Sequence, residues 1–112
     1  MKTFFVRTNR YFTYDEVKEA LDVLLRANNF LAKIIYSHND SNVAKYVEEY
    51  VFYSSEKCLK DFELFKKLKD VDEVFIFNKN NAANKFMIDY CVKRNLNITV
   101  IDAVEDEDGT KM

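Results

Sequence analysis

Polar and charged side chains occur in three short segments that each follow an apolar, strand-like run, and these side chains could do chemistry. Arg10 could make a bidentate pair with a phosphate or a carboxylate, and His38 could act as a general base near neutral pH. Hydroxyl and amide groups beside predicted helix starts could donate hydrogen bonds to an anion, because free amides at a helix N-terminus favour negative charge. The predicted ligand-binding residues are Thr8, Arg10, Ser37, His38, Ser41, Asn81, Asn84 and Lys85.

Each of these residues also has a plain structural role open to it. Arg10 could pair with Asp15 or Asp40 on the surface, Lys85 could be solvated, and the hydroxyls and amides could simply cap helices. A loop hydrogen bond is favoured over a base role for His38, because no partner carboxylate or nucleophile stands in a recognisable arrangement. Asp40 argues against a bound phosphate, since it adds a like charge where the anion would lie. We therefore predict no catalytic residue and no cofactor.

The scarcity of glycine excludes several nucleotide-binding motifs. The chain has 112 residues with one Gly and no Pro, where average usage of about 7% Gly and 5% Pro would give roughly eight and six. The single glycine, Gly109, lies close to the C-terminus. Walker-type loops and G-x-G-x-x-G turns need glycine where the backbone approaches a phosphate or takes positive φ, so neither motif is present.

Charge, cysteine content and hydropathy narrow the class of protein further. The 17 Lys and Arg residues balance 19 Asp and Glu residues to a net charge of −2, which does not favour nucleic acid as a partner. Cys58 and Cys91 lack C-x-x-C spacing and His38 is the single histidine, so we predict two core thiols and no metal site. No apolar run approaches 18 residues, and the N-terminus lacks the apolar core of a signal peptide. We therefore predict a cytoplasmic protein with no membrane partner.

Hydrophobic periodicity predicts five short strands that alternate with four helices. The strands are predicted at residues 3–7, 30–36, 51–54, 73–77 and 96–101. Thr13 and Glu16 form a T-x-x-E capping box at the start of the first helix, which we expect to end near Asn28 and Asn29. The second helix carries Val43, Val47, Tyr50 and Val51 behind a cap from Asp40 or Ser41. The third carries Leu59, Phe62, Phe65 and Leu68, and the fourth presents Ala83, Phe86, Met87, Tyr90 and Cys91 on one face.

This alternation predicts a small Rossmann-like three-layer α/β sandwich, in which helices cover both faces of a mainly parallel five-stranded sheet. Residues 1–102 would form the single domain, and residues 103–112 an acidic, disordered tail. Ligands of such sheets bind beyond the carboxyl ends of the strands, where the strand order reverses. We expect residues 7–10, 37–42 and 78–85 to meet there.

Several stretches of the sequence follow a known pattern in their order and spacing. Residues 6–16, VRTNRYFTYDE, continue to Glu19-Ala20-Leu21-Asp22. Ile34-Ile35-Tyr36 precedes Glu48-Glu49-Tyr50, and residues 72–77, DEVFIF, precede residues 85–91, KFMIDYC. In this order they resemble the YspA-like branch of the SLOG superfamily, a group of Rossmann-like nucleotide-binding domains, over most of residues 3–102.

The resemblance implies a nucleotide-binding fold whose loops have been rebuilt without glycine. Where the family has a Gly-Gly-Ala-Arg-Gly-like loop for a nucleotide phosphate, this chain has Ser37-His38-Asn39-Asp40-Ser41. Ala83-Asn84 and Lys85 replace a Gly-Thr that precedes an Arg, and Thr8 replaces the glycine of the first turn. Arg10 is the residue clearly retained, and the P-G-G-x-G-T-x-x-E motif of the phosphoribohydrolase branch is absent.

Aromatic residues are more numerous than a domain of this size must bury, with seven Tyr and ten Phe. Tyr46, Tyr50, Phe52 and Tyr53 cluster around the second helix and its exit. Exposed aromatic clusters tend to form interfaces. We predict a homodimer through these four residues, in keeping with the oligomers that similar proteins form.

The favoured hypothesis is a non-catalytic SLOG-like domain that binds a nucleotide or nucleotide-derived signal at the carboxyl edge of its sheet. The family is associated with nucleotide-derived signals in bacterial immunity. The chain favours Asn, Lys, Tyr, Phe and Ile and is poor in Gly, Pro and Ala, as expected of an AT-rich coding sequence, which suggests a phage or mobile-element protein that acts against host defence. One alternative is a protein-binding inhibitor module that kept the fold and lost the pocket. A second alternative is a nucleotide N-glycosidic hydrolase that would rely on Asp40 or Glu16.

Overall fold

The computed structural model describes residues 1–9, 12–51, 54–78 and 82–102, and it shows strands and helices in strict alternation. In chain order the elements are β1 (Lys2–Arg7), α1 (Tyr14–Ala27), β2 (Ala32–Ser37), α2 (Ser41–Tyr50), β3 (Ser54–Cys58), α3 (Asp61–Lys67) with a 3₁₀ turn at Leu68–Asp70, β4 (Glu73–Asn78), α4 (Ala82–Lys93) and β5 (Ile98–Asp102). The predicted fold class is confirmed, because all four strand pairings are parallel.

The five strands form one sheet in the order β3-β2-β1-β4-β5. The chain moves outward from β1 to β2 and β3, then crosses back to β4 on the other side of β1 and ends at the opposite edge with β5. The strand order therefore reverses between β1 and β4, which is the place where parallel sheets of this kind bind ligands beyond their carboxyl ends.

Side-chain alternation along the strands divides the core into two layers. Phe4 and Val6 point to one face of the sheet, where they pack with apolar residues of α1 and α2 such as Leu21 and Val43. Phe5 points to the other face, where it packs with Leu64 of α3. Successive residues of a strand point to opposite faces, so an apolar run buried on both sides marks a strand that is covered by helices above and below.

Local signals define the ends of α1. The Thr13 hydroxyl accepts a hydrogen bond from the Glu16 amide at 3.2 Å, and the Glu16 carboxylate accepts one from the Thr13 amide at 2.8 Å. The predicted capping box is therefore confirmed. Asn28 caps the C-terminal end of the helix, and Asn29 follows with φ of 57°, the left-handed conformation that asparagine tolerates better than most residues.

The third strand is the element that the sequence interpretation placed wrongly. It spans Ser54–Cys58 instead of residues 51–54, and Val51 is the C-cap of α2, its amide donating to the Val47 carbonyl. β3 is an edge strand with the polar sequence SSEKC, and Glu56 lies between Lys33 and Lys67 at 3.5 and 2.7 Å. Charged edge strands resist pairing with other chains, but they lack the apolar alternation that predicts a strand.

The predictions for Phe86 and for the C-terminal residues have different outcomes. Phe86 does not belong to the buried face of α4, since 63% of it is exposed while Met87 and Cys91 are buried. Its ring forms a T-shaped pair with Phe65, with the two ring centroids 5.8 Å apart. The acidic tail predicted at residues 103–112 lies outside the described residues. Within the described part of the chain, no helix combines the length and the apolar character needed to cross a membrane.

Candidate functional site

A polar cavity of about 240 Å³ opens at the carboxyl edge of the sheet, between the segment that follows β1 and the segment that joins β2 to α2. Among the described residues, its lining contains one cationic and one anionic side chain together with hydroxyl and amide groups. The described lining residues are Arg7, Thr8, Asn9, Ser37, Asn39, Asp40, Ser41 and Asn42.

Asp40 joins the two sides of this cavity. It is the N-cap of α2, and one of its oxygens, Oδ1, accepts a hydrogen bond from the Val43 amide at 3.4 Å and one from the Thr8 hydroxyl at 2.6 Å. The other oxygen, Oδ2, accepts from the Thr8 amide at 2.8 Å. A short polar side chain at an N-cap satisfies an amide that the helix leaves unpaired. Here the same carboxylate also binds the loop after β1.

The carboxyl group of Asp40 lies in a mostly water-excluded position, with 9% of the residue exposed. Burial raises the pKa of Asp40 above its ordinary value, and the hydrogen bonds from Thr8 and Val43 and the charge of Arg7 oppose that rise without cancelling it. Burial disfavours the charged form of a carboxyl group, whereas donors and a nearby cation favour it. The carboxylate is thus held by many partners at a place where its charge is costly.

Arg7 is held in place by α4, the helix that follows β4 on the other side of β1. Its Nε donates to the Asn84 Oδ1 at 2.6 Å, and the Asn84 Nδ2 donates to the Phe77 carbonyl at 2.9 Å. Asn84 is completely buried in the first turn of α4, so it orients the guanidinium from below. The side chain that Asn84 holds in this way is also part of the lining of the cavity.

Two further hydrogen bonds hold the segment after β1 in place beside the cavity. The Asn42 Nδ2 donates to the Phe12 carbonyl at 2.9 Å, and the Phe12 amide donates to the Asn9 carbonyl at 3.2 Å. Together with the Thr8 and Asp40 pair, these contacts join the segment after β1 to the first turn of α2 at both of its ends. These hydrogen bonds therefore fix the described walls of the cavity relative to each other.

The structure brings some of the predicted ligand-binding residues together and separates others. Thr8, Ser37 and Ser41 line the cavity, and Asn84 reaches it through Arg7. Lys85 is exposed on α4 and is not among the lining residues. Arg10 and Asn81 lie outside the described residues, so their predicted roles stay predictions. The three segments expected to meet at the carboxyl edge do meet, through Arg7 with Asn84 and Thr8 with Asp40.

His38 takes part in the structural contact that the sequence favoured for it. Its amide donates to the Cys58 carbonyl at 2.9 Å, and its Nδ1 lies 3.4 Å from the same oxygen. The residue is exposed and does not line the cavity. This contact joins the loop after β2 to the end of β3.

Five lining residues were not among the predicted ligand-binding residues: Arg7, Asn9, Asn39, Asp40 and Asn42. For Arg7 a signal was available, since it is the first charged residue after the apolar run of β1 and therefore the one that the strand itself carries to the sheet edge. Asp40 was considered as a helix cap and as a source of repulsion. Its cap role is confirmed, but its bonds to Thr8 cross 32 residues of sequence and leave no local pattern.

The prediction of an exposed aromatic surface around α2 is wrong for Tyr46. Tyr46 is only 1% exposed, because its ring packs in the core layer under α1 and its hydroxyl donates to Asp22 at 2.7 Å. It cannot contribute to an exposed interface. Tyr50 is 38% exposed and carries the Lys18 Nζ 5.0 Å above its ring. Phe52 and Tyr53 lie outside the described residues, and the homodimer stays a prediction.

Both cysteines are buried free thiols, as predicted, and burial raises the pKa of each. A thiol in such surroundings remains protonated and is a poor nucleophile. Among residues 1–9, 12–51, 54–78 and 82–102, no group of three or more His, Cys, Asp or Glu side chains is arranged to hold a metal ion.

The fold and the cavity together define a small Rossmann-like α/β domain with a polar pocket beside its topological reversal. Comparison of the chain with protein-family models, with curated proteins and with solved structures gives no match. The pocket is therefore the feature of the molecule that bears on its function.

Proposed function

We propose that this protein is a non-catalytic, SLOG-like domain that binds a nucleotide or a nucleotide-derived small molecule in the cavity between β1 and β2. The observation that carries the proposal is Arg7, whose guanidinium is hydrogen-bonded to a buried amide and whose side chain lines a polar cavity at the carboxyl edge of the sheet. Parallel α/β sheets bind their ligands at this edge, and a guanidinium is well suited to planar polar groups.

The size of the cavity limits what it could enclose. Its volume of about 240 Å³ is below the range of about 300–1,000 Å³ that is typical of small-molecule pockets. The proposal is therefore for a mononucleotide or a part of a larger nucleotide, with the remainder in solvent. A dinucleotide enclosed along its whole length does not fit this volume.

Binding without turnover is favoured by the state of the buried carboxyl group. The hydrogen bonds from Thr8 fix the carboxylate of Asp40 as a structural link between the end of β1 and α2, which favours a binding role over that of a general acid or base, a group that must move with the reacting proton. Glu16, the other carboxylate considered for hydrolysis, is committed to the capping box of α1. A protein of this kind would hold its ligand and sequester it.

A protein-binding module is the second candidate, and Asp40 is the observation that favours it. A carboxylate fixed at the N-terminus of α2 occupies a position where the helix amides could otherwise meet an anionic ligand. In this candidate function, the cavity binds no ligand and Asp40 only caps α2, so the protein would bind its partner through the outer surface of the domain.

A thermal-shift screen with nucleotides, cyclic nucleotides, NAD and ADP-ribose derivatives separates the two candidates. A ligand at a hundred times its dissociation constant adds about 2.7 kcal/mol of stability, which raises Tm by several degrees in a domain of this size. We expect such a shift in the wild type, its loss in Arg7→Ala, and its persistence in Arg26→Ala, which removes an exposed arginine in the last turn of α1. Arg10→Ala tests the predicted role of Arg10 in the same screen.

Each variant is compared with its own ligand-free Tm, because Arg7→Ala also removes a hydrogen bond to buried Asn84. A shift that is equal in wild type and Arg7→Ala would place the ligand elsewhere on the protein. No shift with any compound would leave the protein-binding candidate as the better account, and capture of partners from a host lysate would follow.

A further inference from the structure

The cavity has no surplus of positive charge among its described lining residues. Arg7 is its cation and Asp40 its anion, and the other six lining residues are neutral. The charge of Arg7 acts on Asp40, whose pKa it lowers against the effect of burial. A phosphate dianion needs donors and cations that are not already neutralised, and the described lining residues do not supply them.

Asp40 also accepts hydrogen bonds from the backbone amides that a bound phosphate would use. The two amides that point to the carboxylate belong to Thr8, just after β1, and to Val43, in the first turn of α2. Free amides in these two positions, after the first strand and at a helix N-terminus, commonly bind an anion. In this protein the carboxylate of Asp40 occupies that position.

A neutral, hydroxyl-bearing ligand meets none of these obstacles. A carboxylate has room for about four hydrogen bonds and can only accept them, and the described donors to Asp40 supply three. Ser41 offers an exposed hydroxyl and Asn39 an exposed side-chain amide at the same cavity. Sugar hydroxyls and base amines are donors to such an acceptor, and they bring no charge that Asp40 would repel.

We propose that the cavity takes the nucleoside part of its ligand, with Asp40 as an intrinsic anion that excludes phosphate from the N-terminus of α2. This inference rests on the proposed function and makes it more specific. It assigns ligand selectivity to Asp40 and predicts that the protein binds an uncharged nucleoside at least as well as the corresponding phosphorylated compound.

Isothermal titration of the wild type with the four ribonucleosides, their 5′-monophosphates and inorganic phosphate tests this selectivity. Where a nucleoside and its monophosphate bind, we expect the nucleoside to bind at least as tightly as the monophosphate. We expect inorganic phosphate to give no heat of binding at millimolar concentration. Asp40→Asn removes the charge and keeps the size and the capping ability of the residue. In that variant we expect the affinity for the monophosphate to rise about tenfold relative to the nucleoside, because the like charge is gone.

The matched control is Asp15→Asn, which removes an exposed carboxylate from the first turn of α1 and should leave the ratio of the two affinities at its wild-type value. A wild type that binds the monophosphate more than tenfold tighter than the nucleoside overturns the inference and leaves the proposed function standing. The same holds if Asp40→Asn folds, as judged by circular dichroism, and its ratio is unchanged. A wild type that binds none of these probes overturns the inference, and it overturns the proposed function as well if the thermal-shift screen also gives no shift. The wild-type series needs no folded variant.

Discussion

Thr8 donates both its backbone amide and its hydroxyl to the carboxylate of Asp40, at 2.8 and 2.6 Å, and so joins the end of β1 to the N-terminus of α2. The pair is buried. One side chain therefore caps a helix, satisfies a loop amide and supplies the negative charge of the described part of the candidate site. Stability and the proposed ligand selectivity would thus depend on the same residue.

Removal of this carboxylate should destabilise the protein markedly. Asp40→Ala deletes an N-cap, which costs about 0.5–2 kcal/mol, and it leaves the buried Thr8 amide without an acceptor, which costs about 1–3 kcal/mol. We expect a loss of about 2–4 kcal/mol in the free energy of unfolding measured with urea, and a smaller loss for Asp40→Asn because asparagine also caps helices. Glu19→Ala, on the exposed face of α1, should change it by less than about 0.5 kcal/mol. Equal stabilities of Asp40→Ala and the wild type would show that the Thr8 contacts contribute nothing.

The raised pKa of Asp40 predicts how this contribution depends on pH. Its native pKa is higher than its unfolded value, so the native state binds the proton more tightly, and stability falls as pH rises between the two values. Asparagine does not titrate. The free energy of unfolding of the wild type minus that of Asp40→Asn should therefore decrease from acidic pH upward, until Asp40 is ionised in both states.

Urea unfolding of both proteins in steps of pH from 3 to 7 measures this difference, because the other titrating groups largely cancel between them. A difference that instead increases with pH would mean that the donors from Thr8 and Val43 and the charge of Arg7 outweigh burial, and that the native pKa is lowered.

Arg7 and Asn84 should behave as a coupled pair. The 2.6 Å hydrogen bond joins a charged donor to a completely buried amide, and hydrogen bonds of this kind contribute about 1.5–3 kcal/mol. In a double-mutant cycle with Arg7→Ala and Asn84→Ala, we expect the double variant to lose about 1–3 kcal/mol less than the sum of the single variants. Losses that add to within about 0.5 kcal/mol would mean that Asn84 does not hold the guanidinium in solution.

The predicted homodimer depends, among the described aromatic residues, on Tyr50. Sedimentation velocity at micromolar concentration should show a dimer for the wild type and a monomer for Tyr50→Glu, because the substitution places a charge in an interface that is expected to be aromatic. Arg26→Ala should remain dimeric. A wild type that sediments only as a monomer contradicts the prediction outright.

Much of the fold was predictable because its signals are local. The capping box of Thr13 and Glu16 acts across three residues, and Asn29 ends α1 through its own backbone conformation. The buried strands show themselves by short apolar runs. β3 was misplaced because an edge strand is paired on one side only, so its composition can be polar, and Tyr46 was misjudged because burial depends on what lies above a helix face.

The candidate site was predictable only in outline. That the ends of β1 and β2 and the start of α4 converge follows from the alternation of strands and helices, which places all carboxyl ends of a parallel sheet at one edge. Which side chains meet there does not follow. Thr8 and Asp40 are 32 residues apart and Arg7 and Asn84 are 77 apart, and such contacts leave no periodic pattern in the chain. They depend on the register of neighbouring strands and on the tilt of the helices packed upon them, which arise only when the whole sheet is assembled.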